Sequence, residues 1–401
     1  MSITAASGFV AAGIAAGIKA SGRSDLALVA TADRRPVPAA GVFTTNLVAA
    51  APVQVSRRHL AARFEAAAVV LNSGNANAAT GAPGLAVAER TCALVAGELA
   101  CDPDDVLVCS TGLIGIPMAI EPFEAGIPKL AGELAAGAEA GRRAAEAIMT
   151  TDTVAKEAVA NAVLGGHTTV TVGGMAKGAA MLSPAMATML AVITTDAVVE
   201  AGALQVALTR AADASFNLMT TDGSRSTNDT VLVLAGGAAG NPPIEADTAE
   251  AHALADALTA VCASLSDQMA RDAEGATKFV RLTVKGARSN GEALQAARAV
   301  AESQLVKCSL FGGDPYWGRI LSELGASGAY LDPDRVDIAY NGITVCIGGV
   351  AAPPPDVEAL NKSMQQRDIE VIADLGLGNG EATVTTVDLT PGYIDENMRT
   401  S

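Results

Sequence analysis

Four short apolar runs open the chain, over residues 9–14, 26–31, 41–45 and 67–71. Each has strand length and ends in polar or breaker residues. Over 85–99 the apolar positions recur at helical spacing with Glu89 and Arg90 outward, which predicts a helix. A short strand follows over 106–109. Residues 121–149 are Ala-rich and predict helix, broken near Gly126–Pro128. Residues 157–172 alternate about Gly165 and Gly166, as a hairpin does. The β-branched run AVITTDA, 191–197, predicts a buried strand.

Beyond that strand, helices over 203–218, 249–270, 292–306 and 316–324 alternate with strands over 230–235 and 279–284. The final third adds strands over 336–340, 343–347, 369–374 and 382–388, with a helix near 356–366. The glycine-rich GLGNG, 376–380, is followed by a strand and not a helix. It therefore predicts a hairpin turn instead of a dinucleotide-binding loop. Mixed strands, helices and hairpins predict an α/β or α+β layered protein, not a simple doubly wound sheet. Pro- and Gly-containing stretches at 236–247 and 351–356 predict surface connections. The domain boundary is expected near residue 285, giving a core over 1–285 and a C-terminal α/β domain over 286–401.

Composition narrows the picture. Half of the 401 residues are hydrophobic, enough for a large core. With 40 glycines and 3% aromatics, that core is expected to pack backbone closely through small side chains. A net charge of −16 argues against nucleic acid or an anionic membrane as partner. No apolar run is long enough to span a bilayer. The first twenty residues carry no basic residue ahead of their apolar part, so neither a secretory signal nor a transit peptide is expected, and the chain reads as cytoplasmic.

The six cysteines, Cys92, Cys101, Cys109, Cys262, Cys308 and Cys346, form no C-x-x-C pair and are expected reduced and buried. Cys109 lies two residues before Thr111 and is expected as a small core residue ending a strand. The three histidines, His59, His167 and His252, lie in a polar stretch, a turn and an acidic helix. None adjoins a candidate nucleophile, which disfavours a Ser-His-Asp triad or a His-based metal site.

The most informative stretch is 175–190, MAKGAAMLSPAMATML. It holds one cation, Lys177, and one hydroxyl among bulky apolar neighbours, Thr188. Read from the residues alone, Thr188 is either a buried threonine bonded to backbone or a nucleophile. A threonine hydroxyl needs a base. Cutting the chain after Ala187 would supply one as the freed α-amine. Ser110, Thr111 and Gly112 end a short strand, as an ordinary turn or as oxyanion donors. Lys177 reads either as a snorkelling surface lysine or as a partner for a substrate carboxylate. Glu274 reads as a helix-end carboxylate or as a site for a substrate ammonium.

This stretch resembles the cleavage region of the ornithine acetyltransferase (glutamate N-acetyltransferase) family. So do six others, in matching order: NSGNANAATG at 72–81, CSTGLIG at 109–115, IMTTDT at 148–153, STNDT at 226–230, ARDAEGATK at 270–278 and GGDPYWGR at 312–319. The resemblance implies a layered sheet core flanked by helices and a smaller C-terminal α/β domain. It implies self-cleavage between Ala187 and Thr188, with Thr188 as nucleophile and Thr111 and Gly112 as oxyanion hole. It implies substrate contacts from Thr150 (or its neighbour Thr151), from Lys177, eleven residues before Thr188, and from Glu274 and Asn397, with Ser401 or Thr400 at the terminus.

The implied reaction moves acetyl from N-acetylornithine to glutamate without metal or organic cofactor, and some members also use acetyl-CoA as donor. The implied assembly is a higher oligomer of two processed chains, α and β. A self-processing amidohydrolase or aminopeptidase of related fold is the alternative. The usual aromatic residue near the family's C-terminus is missing here.

Overall fold

The computed structural model describes residues 2–181, 189–353 and 356–398. These form two compact units, the first from 2–181, 189–217 and 224–269 and the second from 218–223, 270–353 and 356–398.

The first unit runs β1 (Phe9–Ile14), β2 (Leu26–Thr31), β3 (Val37–Phe43), α1 (Ala51–Arg63), β4 (Glu65–Ala66), β5 (Ala68–Asn75), α2 (Gly81–Leu99), β6 (Val106–Leu113), α3 (Glu121–Gly132), α4 (Ala138–Ala147), β7 (Lys156–Leu164), β8 (Thr168–Lys177), β9 (Leu190–Thr195), α5 (Ala201–Asp213), β10 (Thr230–Ala235) and α6 (Ala249–Arg271). Its strands make two sheets, ordered β1-β2-β5-β6 and β4-β3-β10-β9-β8-β7. Most pairs are antiparallel, but β5 with β6 and β9 with β10 are parallel. Strands β2, β9 and β10 are buried at every residue, as strands covered on both faces must be.

One core cluster interleaves Val29, Leu71, Leu107 and Cys109 of the first sheet with Met175, Leu190, Val192 and Leu232 of the second, so the two sheets pack face to face. The opposite face of the first sheet buries Cys92 and Val95 of α2 and Phe123 and Ile127 of α3. The arrangement is a layered α/β one, as the sequence predicts, with the sheet core that the resemblance implies.

The second unit runs β11 (Phe279–Ala287), α7 (Asn290–Glu302), α8 (Gln304–Phe311), α9 (Trp317–Ala326), β12 (Asp337–Tyr340), β13 (Ile343–Ile347), β14 (Val350–Ala351), α10 (Val357–Met364), β15 (Asp368–Asp374), β16 (Gly380–Val387) and α11 (Pro391–Asn397). Its sheet is ordered β14-β13-β12-β15-β11-β16. Leu282 and Val284 of β11 and Val371 of β15 form its core with Ala297 and Val300 of α7. The expected boundary at residue 285 falls inside β11, whose sheet partners all lie in this unit.

Four details depart from the sequence reading. The GLGNG segment is not a hairpin turn: β11 lies between β15 and β16, so the loop crosses the end of β11, where Leu377 and Gly378 both donate to the Gly286 carbonyl. The helix over 121–132 continues through Pro128 and stops at Glu133 instead. Pro128 faces solvent, where water can satisfy the carbonyl that loses its donor. The helix expected over 292–306 is two helices divided at Ser303, whose hydroxyl caps the second by accepting from Val306 N. Helix α1, which carries His59, occupies a stretch that reads from sequence only as polar.

Candidate functional site

Thr111 and Gly112 end strand β6, where pairing with β5 becomes irregular and Asn75 stands opposite both Thr111 and Leu113. Such an irregularity ends a ladder and re-aims its last residues. Gly112 has φ +135°, and a Cβ there would stand 2.4 Å from the Gly74 carbonyl carbon. No other residue fits that approach. Thr111 is 1% exposed.

Lys177 is the last residue of β8, paired across the sheet with Leu190. It is 3% exposed, so it does not snorkel to the surface. Its Nζ donates to Thr111 Oγ1 at 3.1 Å. The packing of the two sheets thus joins a cation and a hydroxyl that are 66 residues apart in sequence.

Thr150 lies just beyond α4 and is half-buried, while Thr151 is exposed. The Thr150 amide donates to Asp152 Oδ2 at 2.9 Å. Asp152 Oδ1 accepts from Gly178 N at 2.8 Å and from the buried Lys156 ammonium at 2.6 Å. One carboxylate therefore ties the segment of Thr150 to the segment of Lys177. Burial pushes the Asp152 carboxyl up, but the charges of Lys177 and Lys156 and the donors to the anion outweigh it, and the pKa falls to about 2.

A second aspartate, Asp229, stands one residue before β10 and is fully buried. Its Oδ1 accepts from the Met189 amide at 3.0 Å. Burial holds its carboxyl well above the ordinary range, against the pull of the Met189 amide, the Ser226 hydroxyl and the Lys177 charge. The Asn228 side chain donates to Ala76 O and Ser110 O, at 2.6 and 2.9 Å, fastening this segment to the end of β6.

Neither aspartate has a role in the sequence reading, although both lie in quoted motifs, IMTTDT and STNDT. Their signal is a carboxylate set among hydroxyl and amide residues beside an apolar strand. Asp152 also precedes Lys156 by four residues.

In the second unit Glu274 and Asn397 meet: Asn397 Nδ2 donates to Glu274 Oε2 at 2.7 Å and to Tyr393 O at 2.9 Å. They are 123 residues apart in sequence. Gly275, with φ +63°, permits the approach, since a Cβ there would stand 2.2 Å from Tyr393 N. Ala187, Thr188, Thr400 and Ser401 lie outside the described residues.

Two candidates resolve as structural. Cys109 is 2% exposed and burial pushes its thiol up to about 12, too high for a nucleophile near neutral pH. His59 is buried in α1, with Nδ1 at 2.9 Å from the Val106 carbonyl. The expectation that all six cysteines are buried fails at Cys308, which is exposed, and at Cys101, which is partly so; both sit near helix ends at the surface. All six are free. Among the described residues no three His, Cys, Asp or Glu side chains are grouped to hold a metal ion, and no helix is long and apolar enough to cross a membrane.

Fold and site together define a layered α/β protein in which a buried lysine meets a threonine hydroxyl beside a glycine at a strand end. The ArgJ family model matches residues 10–400. The arginine biosynthesis bifunctional protein ArgJ of Symbiobacterium thermophilum is 48% identical over 397 residues, covering 98% of this chain and 97% of that protein. The ArgJ protein of Mycobacterium tuberculosis is 47% identical over 400 residues, covering 98% and 95%. A crystal structure of ornithine acetyltransferase complexed with ornithine, also from Mycobacterium tuberculosis, matches at 42% identity over 46% of this chain and 94% of that one, with a TM-score of 0.41. The chain belongs to the ArgJ family.

Proposed function

We propose that this chain transfers the acetyl group of N-acetylornithine to glutamate, releasing ornithine and N-acetylglutamate in arginine biosynthesis. Thr188 carries the acetyl group between the two. The family match over residues 10–400 supports the reaction, and the buried Lys177–Thr111 contact is the observation in this chain that carries it.

The chemistry begins with maturation. One water is added across the Ala187–Thr188 amide, leaving a carboxylate on Ala187 and an α-amine on Thr188. In the first half-reaction that amine takes the proton of the Thr188 hydroxyl, and Oγ bonds the acetyl carbon. The C–N bond of the acetamide then breaks, and the α-nitrogen of ornithine leaves with the proton. In the second half-reaction the α-amine of glutamate attacks the ester, and Thr188 recovers its proton. Negative charge develops on the acetyl oxygen in both steps, and Thr111 and Gly112 are assigned to receive it.

Both substrates carry an α-carboxylate, and Lys177 is assigned to it, with Thr150 beside it on the Asp152 tether. Glu274 is assigned to a substrate ammonium, held by Asn397. Ser401 or Thr400 would complete the substrate contacts. No step needs a metal or organic cofactor. Acetyl-CoA as a second donor, a higher oligomer of the two processed chains and a cytoplasmic location belong to the same proposal. The acidic chain is suited to none of the polyanionic partners.

The test is mass spectrometry of the protein before and after N-acetylornithine, then with glutamate, and separately with acetyl-CoA. Two fragments, one acetyl added to the chain beginning at Thr188, and its removal by glutamate are expected. Removal of the acetyl group by water alone would support the amidohydrolase alternative instead. An intact, fully active chain would overturn the mechanism.

A further inference from the structure

The residue that follows Thr188 in sequence, Met189, is held through both its amide and its carbonyl. The Met189 carbonyl accepts from Thr230 N at 3.2 Å, and the Met189 amide donates to Asp229 Oδ1 at 3.0 Å. Parallel pairing of β9 with β10 begins at Leu190 opposite Thr230. The Asp229 side chain therefore serves as acceptor for the amide one residue ahead of that ladder. Asn228 in turn is bolted to Ala76 and Ser110, beside the oxyanion-hole candidate Thr111.

Thr188 is covalently joined to the Met189 nitrogen, so Asp229 holds the residue next in sequence to the proposed nucleophile. Any neutral acceptor could hold an amide, and a fully buried carboxyl is a costly choice, since its desolvation opposes folding. A costly buried group set against a reacting segment marks a functional position.

We propose that Asp229 is a positioning residue for Thr188: by holding the Met189 amide it aims the nucleophile both in self-cleavage and in acetyl transfer. The role rests on the self-cleavage reading above. Because the Met189 amide needs only an acceptor oxygen, the isostere asparagine can take its place, presenting the same amide-accepting oxygen. Alanine cannot.

The experiment compares wild type, Asp229→Asn and Asp229→Ala for the rate of appearance of the two fragments on a denaturing gel. It then measures kcat and KM for the cleaved proteins and the melting temperature of each variant. Asp229→Ala is expected to slow cleavage and lower kcat by about ten- to a hundredfold with KM within about twofold, the loss typical of misaimed reacting groups. Asp229→Asn is expected to restore most of both.

A merely structural role would lower the melting temperature without this split of kcat from KM and without rescue, and that result overturns the proposal. So does an Asp229→Ala protein that cleaves and turns over like a cleaving wild type, or an Asp229→Asn protein as impaired as Asp229→Ala. If wild type itself stays intact, the self-cleavage reading fails, and the anchoring role falls with it.

Discussion

Lys177 Nζ stands 3.1 Å from Thr111 Oγ1, and only one of the two can be the donor. An ammonium has three protons and no lone pair. Thr111 Oγ1 must therefore accept, which leaves its own proton to give elsewhere. A lysine assigned to the substrate thus also sets the rotor of the hydroxyl assigned to the oxyanion.

Replacing Thr111 with valine keeps the shape and removes the hydroxyl. If Thr111 donates to the developing oxyanion, kcat should fall about ten- to a thousandfold while KM changes little. Thr111→Ser should keep most of the rate. Steady-state kinetics on N-acetylornithine and glutamate decide this, and an unchanged kcat in Thr111→Val removes Thr111 from the oxyanion hole.

Lys177→Met should weaken both half-reactions together, because donor and acceptor present the same α-carboxylate in turn. A lost charge-assisted hydrogen bond of about 2 kcal/mol corresponds to a KM increase of roughly thirtyfold for each. Thr111 would lose its fixed donor as well, so kcat should also fall. A variant impaired with only one of the two substrates would show that Lys177 does not serve both.

Much of this site is legible along the chain because its parts sit at strand ends. Strands 9–14, 26–31, 230–235 and 343–347 fall where the apolar runs place them. Thr111 and Lys177 are identified from the motifs that contain them. Their contact is not legible, because it is made by packing of two sheets and no spacing encodes it. The same holds for Asp152 and Asp229, which act through backbone amides of distant segments. The GLGNG segment misleads for a related reason. A glycine turn between two strands looks identical whether the strands pair or a third lies between them. Pairing order is a long-range property, and local propensity does not carry it.

Glu274 and Asn397 make a prediction that separates the substrates. N-acetylornithine carries a side-chain ammonium, and glutamate carries a carboxylate in its place. Glu274→Gln should therefore raise KM for N-acetylornithine, by about tenfold or more, and leave KM for glutamate nearly unchanged. Asn397→Ala removes the donor that holds Glu274 Oε2 and should give a smaller shift of the same kind. Equal effects on both substrates would mean that Glu274 does not bind the ammonium.

The two buried aspartates give the fold opposite responses to acid. The folded-state pKa of Asp152 is lowered from 3.8 to about 2, with burial working against the Lys177 and Lys156 charges that win. The unfolded chain then binds a proton more readily than the folded one. Asp152 thus contributes stability that is complete above about pH 4 and is lost as pH falls towards 2, worth about 2 kcal/mol in all. Asp229 is raised by burial, so it has the reverse sign. Its folded form takes up a proton first, and acidification towards pH 4 relieves the strain of its buried charge. Urea denaturation at a series of pH values should accordingly show stability lost steeply only below pH 4, and Asp152→Asn should flatten that limb. The same variant leaves Lys156 buried against a neutral amide, so it should be less stable than wild type at pH 7. An Asp152→Asn protein with the wild-type slope below pH 4 would show that some other carboxylate governs the acid limb.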